Sequence, residues 1–222
     1  MFRGTHRRTL RFVLSGAIAL TVTAAALIGA PAPSRANVGL SVDRILHDAR
    51  LYDALTEAGV RERVLHNALA ALRRNADQVR NLRYLTLIDF GLHSSKPRLF
   101  LVDMKTASVE ALLVAHGQGS DPDHDGFADK FSNVEGSKMS SLGAYVTRNT
   151  YRGKHGLSLR LEGLDRTNSR AYQRAIVMHG ADYVDPGRKV LGRSWGCPAI
   201  ERKYVKRLMP QLAGGSFIYI AK

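Results

Sequence analysis

The 222-residue chain has one cysteine, Cys197, and one tryptophan, Trp195, and aromatic residues make up only 7% of it. A single thiol excludes an internal disulfide framework. Acidic residues are also scarce, because 19 of them oppose 33 lysines and arginines. No internal repeat is visible, and no low-complexity tract follows residue 36. A repeat architecture is therefore not expected.

Residues 1–36 have the layout of a secretory signal peptide. Four arginines and no acid occupy the first 12 positions, an apolar stretch runs from Val13 to Ala30, and "APAPSRA" follows. Ser34 and Ala36 are placed for cleavage before Asn37. The sequence therefore predicts an exported protein of the periplasm or cell envelope. A retained membrane anchor is the alternative, because the 18 apolar residues approach the length of a span.

The charge balance after residue 36 stays basic. There, 28 basic residues oppose 19 acidic ones, a net charge of +9. Such a surface favours anionic partners. Nucleic acid is not expected, because the chain shows no nucleic-acid module and begins with an export signal. An anionic envelope polymer is the expected partner, and a charge that only keeps the protein soluble is the alternative.

The pattern of apolar residues changes near residue 82. Between Ser41 and Asn75 it has helical spacing, interrupted by Gly59, which predicts a helical hairpin within residues 37–80. Short β-type runs separated by turn residues then follow, which predicts a mainly β region. These runs are "YLTLIDF", "RLFLVDM", "ALLVAHG", "GAYVTRNTY", "LSLRLEG", "RAIVMHG" and "SFIYIA". Residues 201–212 predict one late helix.

The lone cysteine lies in "GRSWGCPAI". Gly196 and Pro198 favour a sharp bend, which can aim backbone N–H groups at one point, as an oxyanion hole requires. A helix beginning near Glu201 would turn its positive end toward the thiol and lower its pKa. A thiol nucleophile also needs a base, and His179 is the nearest histidine before Cys197. An idle, buried thiol is the alternative.

These stretches resemble the L,D-transpeptidase signature, a His-Gly or His-Ser pair followed by Ser-x-Gly-Cys. "IVMHGADYV" and "GRSWGCPAI" carry it, with eighteen positions from His179 to Cys197. The resemblance extends through "VAHGQGS", "FSN", "SSLGAYVT" and "TYRGKHGLSLRLEGLD". The chain is thus similar to the murein L,D-transpeptidase catalytic domain family. The resemblance implies a β-sandwich or mixed sheet, with a catalytic domain at residues 81–222.

The resemblance also implies roles for individual residues. Cys197 would be the nucleophile and His179 the base, with the carbonyl group of Gly180 orienting the imidazole. Ser194 fills the Ser/Thr position of the family. The backbone N–H groups of Gly196 and Cys197 would form the oxyanion hole.

Three further residues are assigned to substrate binding. Gly143, in "SSLGAY", matches a glycine of the family, and Trp195 stands where many members have histidine. His116, in "VAHGQGS", would either line the cleft or cap a strand through its ring nitrogens. The same two alternatives hold for His155, in "GKHGLS".

The implied reaction is acyl transfer on peptidoglycan stem peptides, without metal or cofactor. Cys197 would attack the carbonyl carbon of the third stem residue, and the terminal D-alanine would leave. The thioester would then pass to an amine of a neighbouring stem, which gives a 3-3 cross-link, or to water. Carbapenems are the implied covalent inhibitors. The alternatives are an L,D-carboxypeptidase-type hydrolase and a non-catalytic, basic envelope-binding module.

Other enzymes that pair cysteine with histidine fit the sequence less well. Papain-like cell-wall endopeptidases place the histidine after the cysteine, and none follows Cys197. Sortases place it before, where His116 or His124 would serve, but no Thr-Leu-x-Thr-Cys strand is present.

One acidic stretch has a partial metal-binding pattern. "DPDHDGFAD", residues 121–129, places four aspartates around Gly126, much as a calcium loop begins. The glutamate expected at position 12 of such a loop falls on Ser132. A solvated turn is favoured over a structural calcium site.

Overall fold

The computed structural model describes residues 41–222. The predicted signal peptide therefore lies outside the described residues. Three helices come first: α1 (Val42–Leu46), α2 (Ala49–Glu57) and α3 (Glu62–Arg74), followed by a 3₁₀ turn at Ala76–Gln78. Apolar spacing predicted two helices here. The third arises because the Asp48 side chain accepts a hydrogen bond from the Arg50 N–H and begins a new helix.

In the described part of the chain, nine strands form one mixed sheet in the order β3-β2-β1-β9-β5-β6-β7-β8-β4. Neighbours run antiparallel, except for the parallel pairs β1–β9 and β7–β8. The mainly β prediction is thereby confirmed. The strands are β1 (Tyr84–Asp89), β2 (Leu99–Asp103), β3 (Ser108–Leu112), β4 (Val114–Ala115), β5 (Gly143–Gly153), β6 (Gly156–Gly163), β7 (Val177–Ala181), β8 (Ala199–Glu201) and β9 (Phe217–Ala221).

The sheet is buried on both faces. Successive residues of β9 point to opposite sides, so that Phe217 packs in one apolar cluster and Ile218 in the other. The cluster around Phe217 includes Leu51 and Leu65 of the first helices. The cluster around Ile218 includes Leu208 of the late helix. Helices therefore cover the sheet on both sides.

The late helix, α4 (Arg202–Leu212), follows β8 directly. It contains Pro210 and still continues to Leu212. A proline in the last turn removes one hydrogen-bond donor, whereas the buried side chains of Leu208, Met209 and Leu212 hold the helix on the sheet. Within residues 41–222, no helix has the length and apolar character needed to cross a membrane.

Candidate active site

A sharp turn places Cys197 immediately before β8. The Ser194 hydroxyl accepts a hydrogen bond from the Gly196 N–H at 3.0 Å and donates one to the Cys197 carbonyl oxygen at 2.6 Å. Gly196 has a φ of +116°, and a Cβ atom there would lie 2.6 Å from the Met139 carbonyl oxygen. Glycine is therefore required for this turn.

The two N–H groups of the predicted oxyanion hole differ in their partners. The Gly196 N–H donates to the Ser194 hydroxyl at 3.0 Å. The Cys197 N–H, in contrast, has no acceptor among the residues that the structure describes. The turn thus offers the Cys197 N–H as its donor.

Residues 116–120 support this turn through their backbone. The Ser194 N–H donates to the His116 carbonyl oxygen at 2.9 Å, and the Ser194 carbonyl oxygen accepts from the Gln118 N–H at 2.8 Å. A Cβ atom on Gly117 would lie 2.7 Å from the Gly196 Cα. The Ser140 hydroxyl links the two segments, accepting from the Gly117 N–H and donating to the Gly196 carbonyl oxygen.

His179 lies in β7, between β6 and β8, and only 2% of it is exposed. Its Nδ1 lies 3.2 Å from the Gly180 carbonyl oxygen, so Nδ1–H donates and Nε2 keeps its lone pair. Two residues earlier on the same strand, the Val177 N–H donates to the Cys197 sulfur at 3.5 Å. Strand β7 therefore carries the base candidate and also supports the thiol.

Cys197 and His179 line the same cavity, of about 820 Å³. Basic side chains surround the pair, and among the described residues Glu135 is the only carboxylate in the lining. The basic residues of the lining are Lys138, Lys154, Arg174 and Arg193. The cavity is therefore suited to a substrate that carries negative charge.

Burial shifts the pKa values of His179 and Cys197 in opposite directions. It lowers the pKa of His179 to about 4, and the nearby His155 adds to this effect. It raises the pKa of the Cys197 thiol, although the Val177 N–H and the Arg174 charge oppose the rise. The predicted lowering of the thiol pKa is thus wrong, because desolvation outweighs the stabilising groups.

The second imidazole of the cavity is His155, at the tip of the β5–β6 hairpin. Its ring stacks on that of His179 with centroids 4.2 Å apart and planes 21° from parallel. The sequence leaves open whether His155 lines the cleft or caps a strand, and the structure places it in the cavity lining. Its stacking on His179 was not predicted, because the contact depends on how the hairpin folds over β7. The histidine in "GKHGLS" was the only signal available.

The family model described as the L,D-transpeptidase catalytic domain matches residues 56–221. The chain belongs to the L,D-transpeptidase family. An L,D-transpeptidase from Mycobacterium smegmatis is 9% identical, with a TM-score of 0.40, over 62% of this chain and 58% of that one. An L,D-transpeptidase from Mycobacterium tuberculosis is 10% identical, with a TM-score of 0.42, over 63% of this chain and 58% of that one.

The helical cell shape determining protein Pgp2 from Campylobacter jejuni is 10% identical, with a TM-score of 0.41, over 62% of this chain and 46% of that one. This chain thus spans less than two thirds of the length of each of these three proteins. No curated protein matches the chain.

Two of the residues assigned to substrate binding lie outside the cavity lining. His116 is 1% exposed, and its ring nitrogens contact Arg98 at 2.7 Å and Asp121 at 3.1 Å. Gly143 begins β5 with a φ of +115°, where a Cβ atom would lie 2.6 Å from the Asp165 carboxylate. Both residues shape the fold beside the site, because their surroundings are filled by protein.

Trp195 lies in the cavity lining, as the resemblance implied. Its side chain is among the most exposed large apolar groups in the described residues, at 65%. Trp195 thus gives the cavity an exposed apolar surface at this point.

The aspartate-rich loop forms an ordered turn. Ligand oxygens of Asp121, Asp123 and Asp125 lie within 4.8 Å of one another. The buried Asp121 carboxylate already accepts from His116 Nε2 and from the N–H groups of Asp125 and Gly126. These bonds account for the burial of Asp121 without an ion.

Proposed function

We propose that this protein is a cysteine acyltransferase of peptidoglycan stem peptides, with Cys197 as nucleophile and His179 as base. The observation that carries the proposal is the shared cavity of the two side chains. The Gly180 carbonyl group holds Nδ1 of His179, which leaves Nε2 to take the thiol proton. The expected location is the cell envelope, where the substrate is found.

The first half-reaction forms the thioester. Because the thiol pKa is raised and the His179 pKa is about 4, the resting pair at neutral pH is a thiol beside a neutral imidazole. His179 Nε2 takes the proton as the sulfur bonds to the carbonyl carbon of the third stem residue. The C–N bond then breaks, and the D-alanine amine leaves with that proton.

The second half-reaction reverses these steps with a new nucleophile. An acceptor amine attacks the thioester and gives its proton to His179, the C–S bond breaks, and the sulfur recovers the proton. In both half-reactions the Cys197 N–H stabilises the former carbonyl oxygen, which becomes negatively charged when the nucleophile adds to the carbonyl carbon. Such a donor contributes about 3–4 kcal/mol at comparable sites.

A covalent adduct tests the proposal. A carbapenem, whose strained amide resembles the donor, should add one acyl group to Cys197, as should a tetrapeptide stem. Intact-protein mass spectrometry and peptide mapping would detect it, with Cys197→Ala as the control. An adduct that persists in Cys197→Ala, or none on the folded wild type, would contradict the assignment.

Product analysis with the same tetrapeptide stem distinguishes acyl transfer to an amine from hydrolysis. If amine acceptors compete with water, added D-amino acid should appear in the muropeptide product, as detected by chromatography and mass spectrometry. A tripeptide product alone, at saturating acceptor, would instead show an L,D-carboxypeptidase.

A further inference from the structure

An exposed indole in the cavity contacts two lysines. The Lys138 ammonium lies 5.0 Å from the Trp195 ring centroid, and the Lys154 ammonium lies 5.2 Å from it. Both distances are within the range of cation–π attraction. All three side chains line the cavity that holds Cys197. We call them the Trp195 cluster.

The two ammonium groups are not neutralised by the protein. Within residues 41–222, neither forms an ion pair with a carboxylate. Glu135, the one carboxylate that the described part of the chain contributes to the cavity lining, lies 3.7 Å from Arg170. Two positive charges therefore lie beside one apolar ring, and neither is paired with a carboxylate of the described residues.

Separate segments bring these lysines together. Lys138 has a φ of +54°, which residues other than glycine rarely adopt, and its carbonyl oxygen accepts from the Gly119 N–H at 3.0 Å. Lys154 lies at the tip of the β5–β6 hairpin, next to His155, whose ring stacks on His179. Lys154 is therefore on the same side of the cavity as the base.

We propose that the Trp195 cluster binds the carboxylate of the amine component in the acyl transfer. The inference rests on the proposed function. The amine that leaves and the amine that attacks both exchange a proton with His179, so both occupy the side of the cavity where the base lies. There the ammonium groups would bind the carboxylate, while the indole packs against the aliphatic part.

The ligand class follows from this geometry. The preferred amine component would carry a free carboxylate on the same amino acid as the amine, as D-alanine does. An acceptor whose carboxylate is amidated would lose the attraction of both lysines but keep its amine.

Trp195 itself provides the readout, because the chain has one tryptophan. Titration with D-alanine should change its fluorescence saturably, and D-alaninamide should bind about five- to tenfold more weakly. The double variant Lys138→Gln, Lys154→Gln should bind both ligands equally weakly. Lys206→Gln, which removes the charge of an exposed lysine on α4, should bind D-alanine like the wild type.

Two outcomes would overturn the subsite. One is equal binding of D-alanine and D-alaninamide by the wild type. The other is a double variant that still prefers D-alanine over D-alaninamide as strongly as the wild type does. Whether a carbapenem adduct forms on Cys197 at all, measured on the same preparations, tests the proposed function. The rate of its formation is left out of this comparison, because a carbapenem carries a carboxylate beside its amide nitrogen and can itself use the subsite. An adduct without carboxylate preference therefore rejects only the subsite, and carboxylate preference without an adduct rejects the acyltransferase.

Discussion

At the scale of single residues, burial decides how Cys197 can react. A thiolate–imidazolium pair would need both groups charged in a place where desolvation disfavours each charge. The neutral pair avoids this cost, so that proton transfer must accompany attack. In the proposed reaction, His179 is therefore needed during the attack itself rather than only before it.

Alkylation by iodoacetamide tests this dependence. We expect His179→Ala to lower the rate of Cys197 alkylation at pH 7 by about 100-fold, because the thiol loses its base. In the wild type the alkylation rate should persist as the pH falls to about 4, where His179 becomes protonated. The rate should increase again only at pH values above the usual pKa range of a thiol.

The control for this experiment is His66→Ala, since His66 is exposed on α3. It should leave the alkylation rate unchanged across the pH range. Equal rates for wild type and His179→Ala at pH 7 would show that His179 does not activate the thiol.

At the scale of elements, the tip of the β5–β6 hairpin determines what the base contacts. The His155 ring covers one face of the His179 ring, and stacked rings cannot share a proton along a hydrogen bond. His155 is therefore expected to position His179 through contact, with no proton transfer between the rings.

Two substitutions separate contact from titration. His155→Phe keeps a flat ring and should leave the rate of carbapenem acylation within about twofold of wild type, whereas His155→Ala should lower it about tenfold. The acylation rate is followed by mass spectrometry. A rate in His155→Phe as low as that in His155→Ala would show that the imidazole nitrogens are needed instead.

Elements with a clear periodic pattern could be predicted from the sequence, and short ones could not. All seven predicted runs contain strands, but "ALLVAHG" divides between β3 and β4. Strand β8 has three residues, too few for an alternating pattern to be visible. A motif predicted that His179 and Cys197 act together, and the structure places both in the lining of one cavity. The use of the Gly196 N–H by Ser194 depends on the turn and has no sequence signal.

At the scale of the whole molecule, two buried neutral histidines make stability depend on pH. Burial lowers the pKa of both His116 and His179 from 6.5 to about 4. Between these values the unfolded chain binds protons that the native protein does not, so the free energy of unfolding falls as the pH decreases. Each histidine should contribute about 3 kcal/mol to this fall.

Urea unfolding at pH 7 and pH 4.5 measures the effect. His179→Gln should reduce the loss of stability between these pH values, because it removes one of the two proton-binding sites of the unfolded chain. The control variant is His66→Gln, since the His66 side chain is exposed. It should lose as much stability between these pH values as the wild type does. An identical pH dependence in wild type and His179→Gln would contradict the buried, neutral state of His179.

The position of β9 has a consequence for the timing of folding. β9 is the last described strand along the chain, yet it lies between β1 and β5 and joins the two halves of the sheet. Ribosomes add roughly 5–20 residues per second, so for several seconds most of the sheet exists without the strand that unites it. Neither half can pair with the other before residues 217–221 emerge. The two halves of the sheet therefore stay unjoined until that strand has been made, which suits a protein proposed for export.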